Sequence, residues 1–171
     1  MTMISIRHEQ ASDTAAIRRV NDLAFGQRAE GDLIDRLRAA GKVVLSLVAV
    51  ESDQVVGHLL FSPVTIECET ENIAALGLAP VAVQPEHQRR GIGSQLVRAG
   101  LDECRRAGHK CVVVLGHPEY YPRFGFIPAS RYGVSSEYNV ADEKFMLIEL
   151  QAGSLPRRKG VAKYQPEFSE L

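Results

Sequence analysis

The chain has no tryptophan, and tyrosine and phenylalanine bring aromatic content to only 6%. No stretch interleaves aromatic and basic residues, so there is no stacking platform for a single-stranded nucleic acid. Charge of one sign is also missing. Twenty basic residues face 21 acidic ones, for a formal net charge of -1, so no global field draws the protein to nucleic acid. Cysteine is scarce: Cys68, Cys104 and Cys111 are odd in number and form no C-x-x-C. That excludes a disulfide framework and supplies no metal-binding set, so three reduced thiols packed as small hydrophobes are expected. No apolar run approaches the ~20 residues that span a bilayer. The opening "MTMISIRHEQ" meets charge almost at once and lacks a signal-peptide core, so a cytoplasmic location is expected. No repeat, linker or low-complexity tract divides the 171 residues. One domain is expected, with 153–171 as a C-terminal extension. Its end, "PRRKGVAKYQPEFSEL", is polar but carries Val161, Tyr164 and Phe168 as means to dock.

What is present alternates between two periods. Residues 4–7 read as a short edge strand. Ser12 offers an N-cap to a helix reaching about Phe25, and 31–40 form a second helix that Gly41 ends. "VVLSLVAVE" (43–51), "VVGHLLFSPVTIE" (55–67) and "IAALGLAPVAVQ" (73–84) then read as a meander, with Asp53-Gln54 as the first hairpin tip and 67–71 as a polar turn. From Arg90 the helical period returns, with Ile92, Leu96, Leu101, Cys104 and Ala107 on one face and Gly108 at the end. "CVVVLG" (111–116) is a central strand, 119–123 a short helix, and "FGFIPA" and "EKFMLIEL" late strands. The order predicts a mixed α/β (α+β) domain with a mostly antiparallel central sheet and one strand–helix–strand crossover.

The third strand changes phase. Its large apolar residues sit at Leu76 and Leu78, then at Val81 and Val83 beyond Ala79-Pro80. A one-residue shift in a period-two strand predicts a bulge, and proline has no N–H for the ladder. The strand is expected to splay there and leave backbone groups for a ligand. It runs directly into "QRRGIG" (88–93) and a long amphipathic helix. First-turn N–H groups and the helix dipole attract an anion. Gly91 and Gly93 let one approach the backbone, and Arg89 and Arg90 add charge. The spacing matches neither a P-loop nor a dinucleotide fingerprint. It suits a pyrophosphate.

Taken with its surroundings, "VAVQPEHQRRGIGSQL" (81–96) resembles the central motif of the GNAT superfamily of acetyl-CoA-dependent N-acetyltransferases, Gln/Arg-x-x-Gly-x-Gly/Ala after a splayed strand. "VVVLGHPEYYPRFGFIPA" (112–129) resembles the next strand and a Tyr-x-x-x-Gly-Phe segment. "VVGHLLFSPV", "LGLAPVAV" and "GVAKYQPEF" resemble one bacterial subgroup of predicted acetyltransferases, so the likeness spans nearly the whole chain. It implies a GNAT-like sheet with a splayed strand and helices on both faces, and acetyl-CoA as co-substrate. It also implies pantetheine on the backbone of Val81, Ala82 and Val83. The pyrophosphate would rest on Gln88, Arg89, Arg90, Gly91, Ile92, Gly93 and Ser94, and Tyr121 would face the leaving sulfur. Relatives often carry glycine where this chain has Arg89. They also commonly show an Asn-containing or Gly-Asp-Pro strand end where it has Gly116-His117-Pro118. His117 is a candidate cofactor contact at that end. A homodimer is common in the family.

Acetyl transfer to an amine of a small molecule or protein needs a polarised carbonyl, a neutral amine and a proton for the thiolate. Backbone N–H groups of the strand suit the first need. Tyr121 suits the last, ahead of Tyr120, whose spacing to Gly125 fits less well. Candidates for the base are His58, Glu67, Glu69, His117 and Glu30. A structural role is expected for His58, a solvated one for Glu67, Glu69 and Glu86, and water-mediated deprotonation removes the need for any of them. The alternative is a non-catalytic acyl-CoA sensor or interaction module built on the same fold. The acceptor pocket is expected from about residues 25–37 and the late strands.

Overall fold

A computed structural model describes residues 3–156 and 159–171. Met1 and Thr2 of the opening stretch, and Arg157 and Arg158 of the tail, lie outside the described residues. The elements in order are β1 (Ser5–His8), α1 (Thr14–Phe25), α2 (Ala29–Ala39), β2 (Leu45–Glu51), β3 (Gln54–Cys68), β4 (Asn72–Val83), α3 (Ile92–Arg106), β5 (Cys111–Leu115), β6 (Ile127–Pro128), β7 (Val134–Ser136), β8 (Phe145–Glu149) and β9 (Gly160–Lys163). The result is mixed α/β with a mostly antiparallel open sheet, as the alternation of periods predicts. The chain forms two compact units, and β3, β4 and α3 each contribute residues to both.

The first unit holds Met1–Ser62, Ala79–Gly100 and Pro166–Leu171. Strand β2 pairs antiparallel with β1 and with β3. The hairpin tip is Ser52 and Asp53, at φ 50° and 62°, one residue earlier than the sequence suggests. Two successive left-handed residues form the tight turn whose twist matches the strands. Pairing slips from Ala49↔Gly57 to Val50↔Val55, which leaves Val56 as an extra residue on β3. Ser12 does not cap α1. It lies within a single 3-10 turn, Ala11–Asp13, because Arg7 holds the Asp13 carboxylate at 2.7 and 3.1 Å and draws that turn against β1. Asp13 also accepts the Gln10 N–H at 2.6 Å. Ile17, Val20, Leu33, Ile34 and Leu37 form the buried stripes of α1 and α2. At the chain's end Phe168 is buried, and Lys42 meets the Glu167 carboxylate at 2.8 Å.

The second unit holds Pro63–Leu78 and Leu101–Gln165. The all-apolar β5 has a partner strand on each side. It runs parallel to β4 through Leu76↔Val112 and Gly77↔Val113, and antiparallel to β8 along five residue pairs, which commits both of its edges. Strand β6 adds to β8. Strand β9 lies antiparallel to the end of β3 and parallel to β7, so residues 160–163 of the tail are part of the sheet. Leu101 and Cys104 of α3 are buried, whereas Ala107 is exposed because α3 stops at Arg106 and Gly108 turns away at φ 88°.

Candidate active site

The first unit carries the elements expected to bind the anion. Past Pro80, burial falls on Pro80, Ala82 and Gln84, while Val81 and Val83 are half-buried. Near the start of the strand it falls on the odd Ile73 and Ala75 while Asn72 and Ala74 are exposed, so burial changes phase along β4. The parallel ladder of β4 ends at Gly77. Beyond it, the Gln84 N–H donates to the carbonyl of the bulged Val56 at 2.9 Å. Backbone groups of successive strand residues point to opposite edges. Gln84 and Ala82 thus address β3, and Val81 and Val83 address the other edge. On that edge the Val83 carbonyl accepts the Gln88 side-chain amide at 2.9 Å.

A 3-10 turn, Pro85–His87, then leads into the motif. Arg89 is left-handed at φ 64° and Gly91 at φ 80°. An L-residue such as Arg89 gives up about 1–2 kcal/mol in this conformation, a cost that glycine avoids. A Cβ built on Gly91 would meet no atom within 4 Å, so the turn is open to a bulky anion. The Gly91 carbonyl accepts the Gln95 N–H at 3.0 Å, the first bond of the α3 ladder. The N–H groups of Ile92 and Gly93 precede that ladder, at the positive end of the helix dipole. Packing fixes the helix start. Ile92 and Leu96 are buried, and a Cβ on Gly57 would sit 3.3 and 3.1 Å from them.

The two arginines differ. Arg89 is exposed. Arg90 forms a two-pronged pair with Glu51, at 2.6 and 3.3 Å. His87 Nε2 lies 3.4 Å from the same carboxylate. Glu51 had no motif to mark it, because its role depends on where the β2–β3 hairpin ends in space.

The second unit carries Tyr121. The expected helix at 119–123 is a 3-10 turn, Tyr121–Phe124, because the N–H groups of Tyr120 and Tyr121 both donate to the His117 carbonyl, at 3.1 and 3.4 Å. The Tyr121 ring meets Tyr120 and Phe126 edge-on, with centroids 5.1 and 5.7 Å apart. Its other side lies over Gly116, where a Cβ would come within 2.3 Å of the ring. Burial, with a smaller contribution from Tyr120, pushes the Tyr121 phenol up to about 12. Tyr120 instead carries the Arg123 guanidinium over its ring at 4.3 Å. The His117 side chain is 81% exposed beside Glu119, so the backbone of His117 organises this turn and its imidazole does not.

Of the proposed bases, His58 is removed from chemistry. It is fully buried, with Asn21 Nδ2 donating to Nδ1 at 3.2 Å, which leaves Nε2–H to donate to Ser46 Oγ at 2.9 Å. Burial, reinforced by Arg38, lowers it to about 3. Glu67 and Glu69 are exposed and line a cavity of about 760 Å³ in the second unit with Lys159 and Lys163. Glu30 accepts the Gln27 amide at 3.0 and 3.1 Å, and Glu86 is exposed. Cys104 and Cys111 are buried free thiols, as their apolar settings suggest.

Residues 5–129 match the family model described as the acetyltransferase (GNAT) domain. The chain is 40% identical over 135 residues to the N-acetyltransferase YjhQ of Escherichia coli K12, covering 77% of this chain and 75% of that one. It is 33% identical over 167 residues to the E. coli N-acetyltransferase YhbS, covering 97% and 99%. The crystal structure of YhbS in complex with CoA superposes with a TM-score of 0.92 at 32% identity, over 99% of this chain and 93% of that one. A GNAT family acetyltransferase from Brucella melitensis, crystallised with acetyl-CoA, superposes with a TM-score of 0.79 at 37% identity, over 97% and 98%. With a family model matched over most of its length and relatives at this level of identity, this chain belongs to the GNAT family of N-acetyltransferases.

Proposed function

We propose that the protein transfers the acetyl group of acetyl-CoA to a primary amine of a small molecule or protein by direct attack. The observation that carries this reading is the open, left-handed turn of Arg89 and Gly91 at the start of α3. It joins a rigid anion site to a strand whose odd-numbered backbone groups address an edge away from β3. The relatives from E. coli and B. melitensis, crystallised with CoA and acetyl-CoA, support the same ligand class.

In the reaction the neutral amine nitrogen attacks the thioester carbonyl. A C–N bond forms, the C–S bond breaks, the nitrogen loses a proton and the sulfur gains one. Negative charge develops on the carbonyl oxygen, and the Val81 and Val83 N–H groups are the donors suited to it. Ala82 contributes by packing, since its backbone faces β3. Tyr121 supplies the proton for sulfur. With its phenol pushed up to about 12, it is fully protonated at neutral pH and acts only as a donor. A thiol in water titrates near ~8.5, and the dry surroundings that raise the phenol raise a neighbouring thiol as well, which brings the two closer. Water carries away the amine proton.

The test is release of CoA thiol from acetyl-CoA across a panel of primary amines, with CoA binding measured by calorimetry. Turnover on at least one amine, reduced about 10²-fold or more in Tyr121→Phe, is the expected result. Tight CoA binding without turnover would instead identify a sensor built on the family's fold. Failure to bind CoA would overturn the reading.

A further inference from the structure

We propose that Glu51 is a positioning residue for the anion-binding turn, holding it in the shape that receives the diphosphate of CoA. This rests on the function proposed above and adds to it a residue outside the motif. The observation is a bracket. One carboxylate meets His87 at 3.4 Å and Arg90 at 2.6 and 3.3 Å. These residues lie immediately before and after Gln88 and Arg89. The two residues between them are thereby held at both ends.

The placement follows from the strand. Ala49 of β2 lies against Gly57, and a Cβ on Gly57 would touch both Ala49 and the Ile92 and Leu96 side chains of α3. Glu51 is two residues beyond Ala49 on the same strand, so its side chain leaves on the same face. That face leads to the start of α3. The bulge at Val56 strengthens the arrangement, because its carbonyl takes the Gln84 N–H and secures the near end of the segment. Gln88 secures itself through the Val83 carbonyl. At the far end of the segment Glu51 holds Arg90.

The charges divide the labour of the arginine pair. The Glu51 side chain is 12% exposed and that of Arg90 40%, so their pair is partly shielded from water. Arg90 is thereby neutralised and serves as a strut. Arg89 projects into solvent and is the cation of the turn offered to a phosphate. Its left-handed backbone is a conformation that the chain does not adopt by preference, so it needs the fixed ends that the bracket provides. Removing the Glu51 charge therefore acts on ligand binding through the turn, with the opposite sign from simple electrostatics. Deleting a negative charge near a diphosphate site would by itself tighten binding.

That opposition of sign makes the experiment decisive. CoA affinity is measured by calorimetry for the parent, Glu51→Gln, Arg90→Gln and the double variant, with thermal transitions recorded for each. Glu51→Gln is expected to raise the CoA Kd about three- to tenfold, the scale of a partly shielded ion pair and its charge-assisted hydrogen bonds. Arg90→Gln is expected to do the same, and the double variant to be no worse than either single. In acetyl transfer the expected change is in KM for acetyl-CoA and not in kcat. Unchanged or tighter CoA binding in Glu51→Gln, or additive losses in the double variant, overturns the proposal. If Glu51→Gln lacks a folded transition, Arg90→Gln alone decides, because only a strut predicts weaker binding without a change in the salt dependence that a direct phosphate contact would lose. A parent protein that fails to bind CoA at all refutes the function itself and is a separate outcome.

Discussion

Replacing Gly116 by alanine tests the proposed role of Tyr121 as proton donor through the residue its ring packs on. Gly116 is not left-handed, so alanine suits its backbone and the only conflict is steric. The added methyl would lie 2.3 Å from Tyr121 Cε2 and 2.9 Å from Cδ2, where ordinary contact begins at 3.4 Å. The ring must withdraw by about 1.1 Å, as far as van der Waals contact demands. It has little room, because Tyr120 and Phe126 meet it edge-on. A misplacement of about 1 Å at a reacting group costs up to ~10²-fold in rate, and overpacking costs about 1–3 kcal/mol of stability. Gly116→Ala is thus expected to lower kcat by about 10- to 100-fold while CoA affinity holds. The assay is CoA thiol release at saturating acetyl-CoA, with Tyr121→Phe and the double variant alongside. In the Tyr121→Phe background the alanine should lower stability again but leave kcat where it is. A Gly116→Ala enzyme with parental kcat, beside a crippled Tyr121→Phe, would refute the claim that this contact places the hydroxyl.

His58 makes the protein acid-sensitive. Its ordinary value of 6.5 falls to about 3 in the folded state, so the unfolded chain binds the extra proton. Stability is complete above 6.5 and declines as pH falls toward 3, by about 2 kcal/mol between pH 7 and pH 5, and urea titrations of the parent and His58→Gln should show that slope only in the parent. Gly100→Ala places a methyl 2.7 Å from Phe61 Cε2. Overpacking of about 1–3 kcal/mol should outweigh the ~1 kcal/mol gain in helix propensity, giving a lower Tm. A disulfide reagent should label one thiol in the native protein, Cys68, and three after unfolding, because burial pushes Cys104 and Cys111 up to about 12. Rapid native labelling of all three would show that α3 and β5 open readily.

Much of the fold was legible because its signals are local. Gly41 and Gly108 ended their helices as read, and the all-apolar 111–115 run became a strand paired on both edges. Errors fell where a distant residue intervened. Ser12 lost the cap because Arg7 captured Asp13 six residues away in sequence. Along β4 burial moves from the odd Ile73 and Ala75 to the even Pro80, Ala82 and Gln84, so Val81 and Val83, large as they are, stay only half-buried.

By itself, the sequence determined the turn. Gly91, the apolar helix behind it and the tyrosine before Gly-Phe depend on backbone allowances and spacing, which are written residue by residue. Only the tertiary structure decided which charge is paired. Arg89 and Arg90 are the same residue type in adjacent positions, and no pattern separates them. Their difference comes from Glu51, 39 residues before Arg90 and brought to it by a hairpin and a bulge. An ion pair is a matter of a few ångströms, and chain order does not encode distance at that scale.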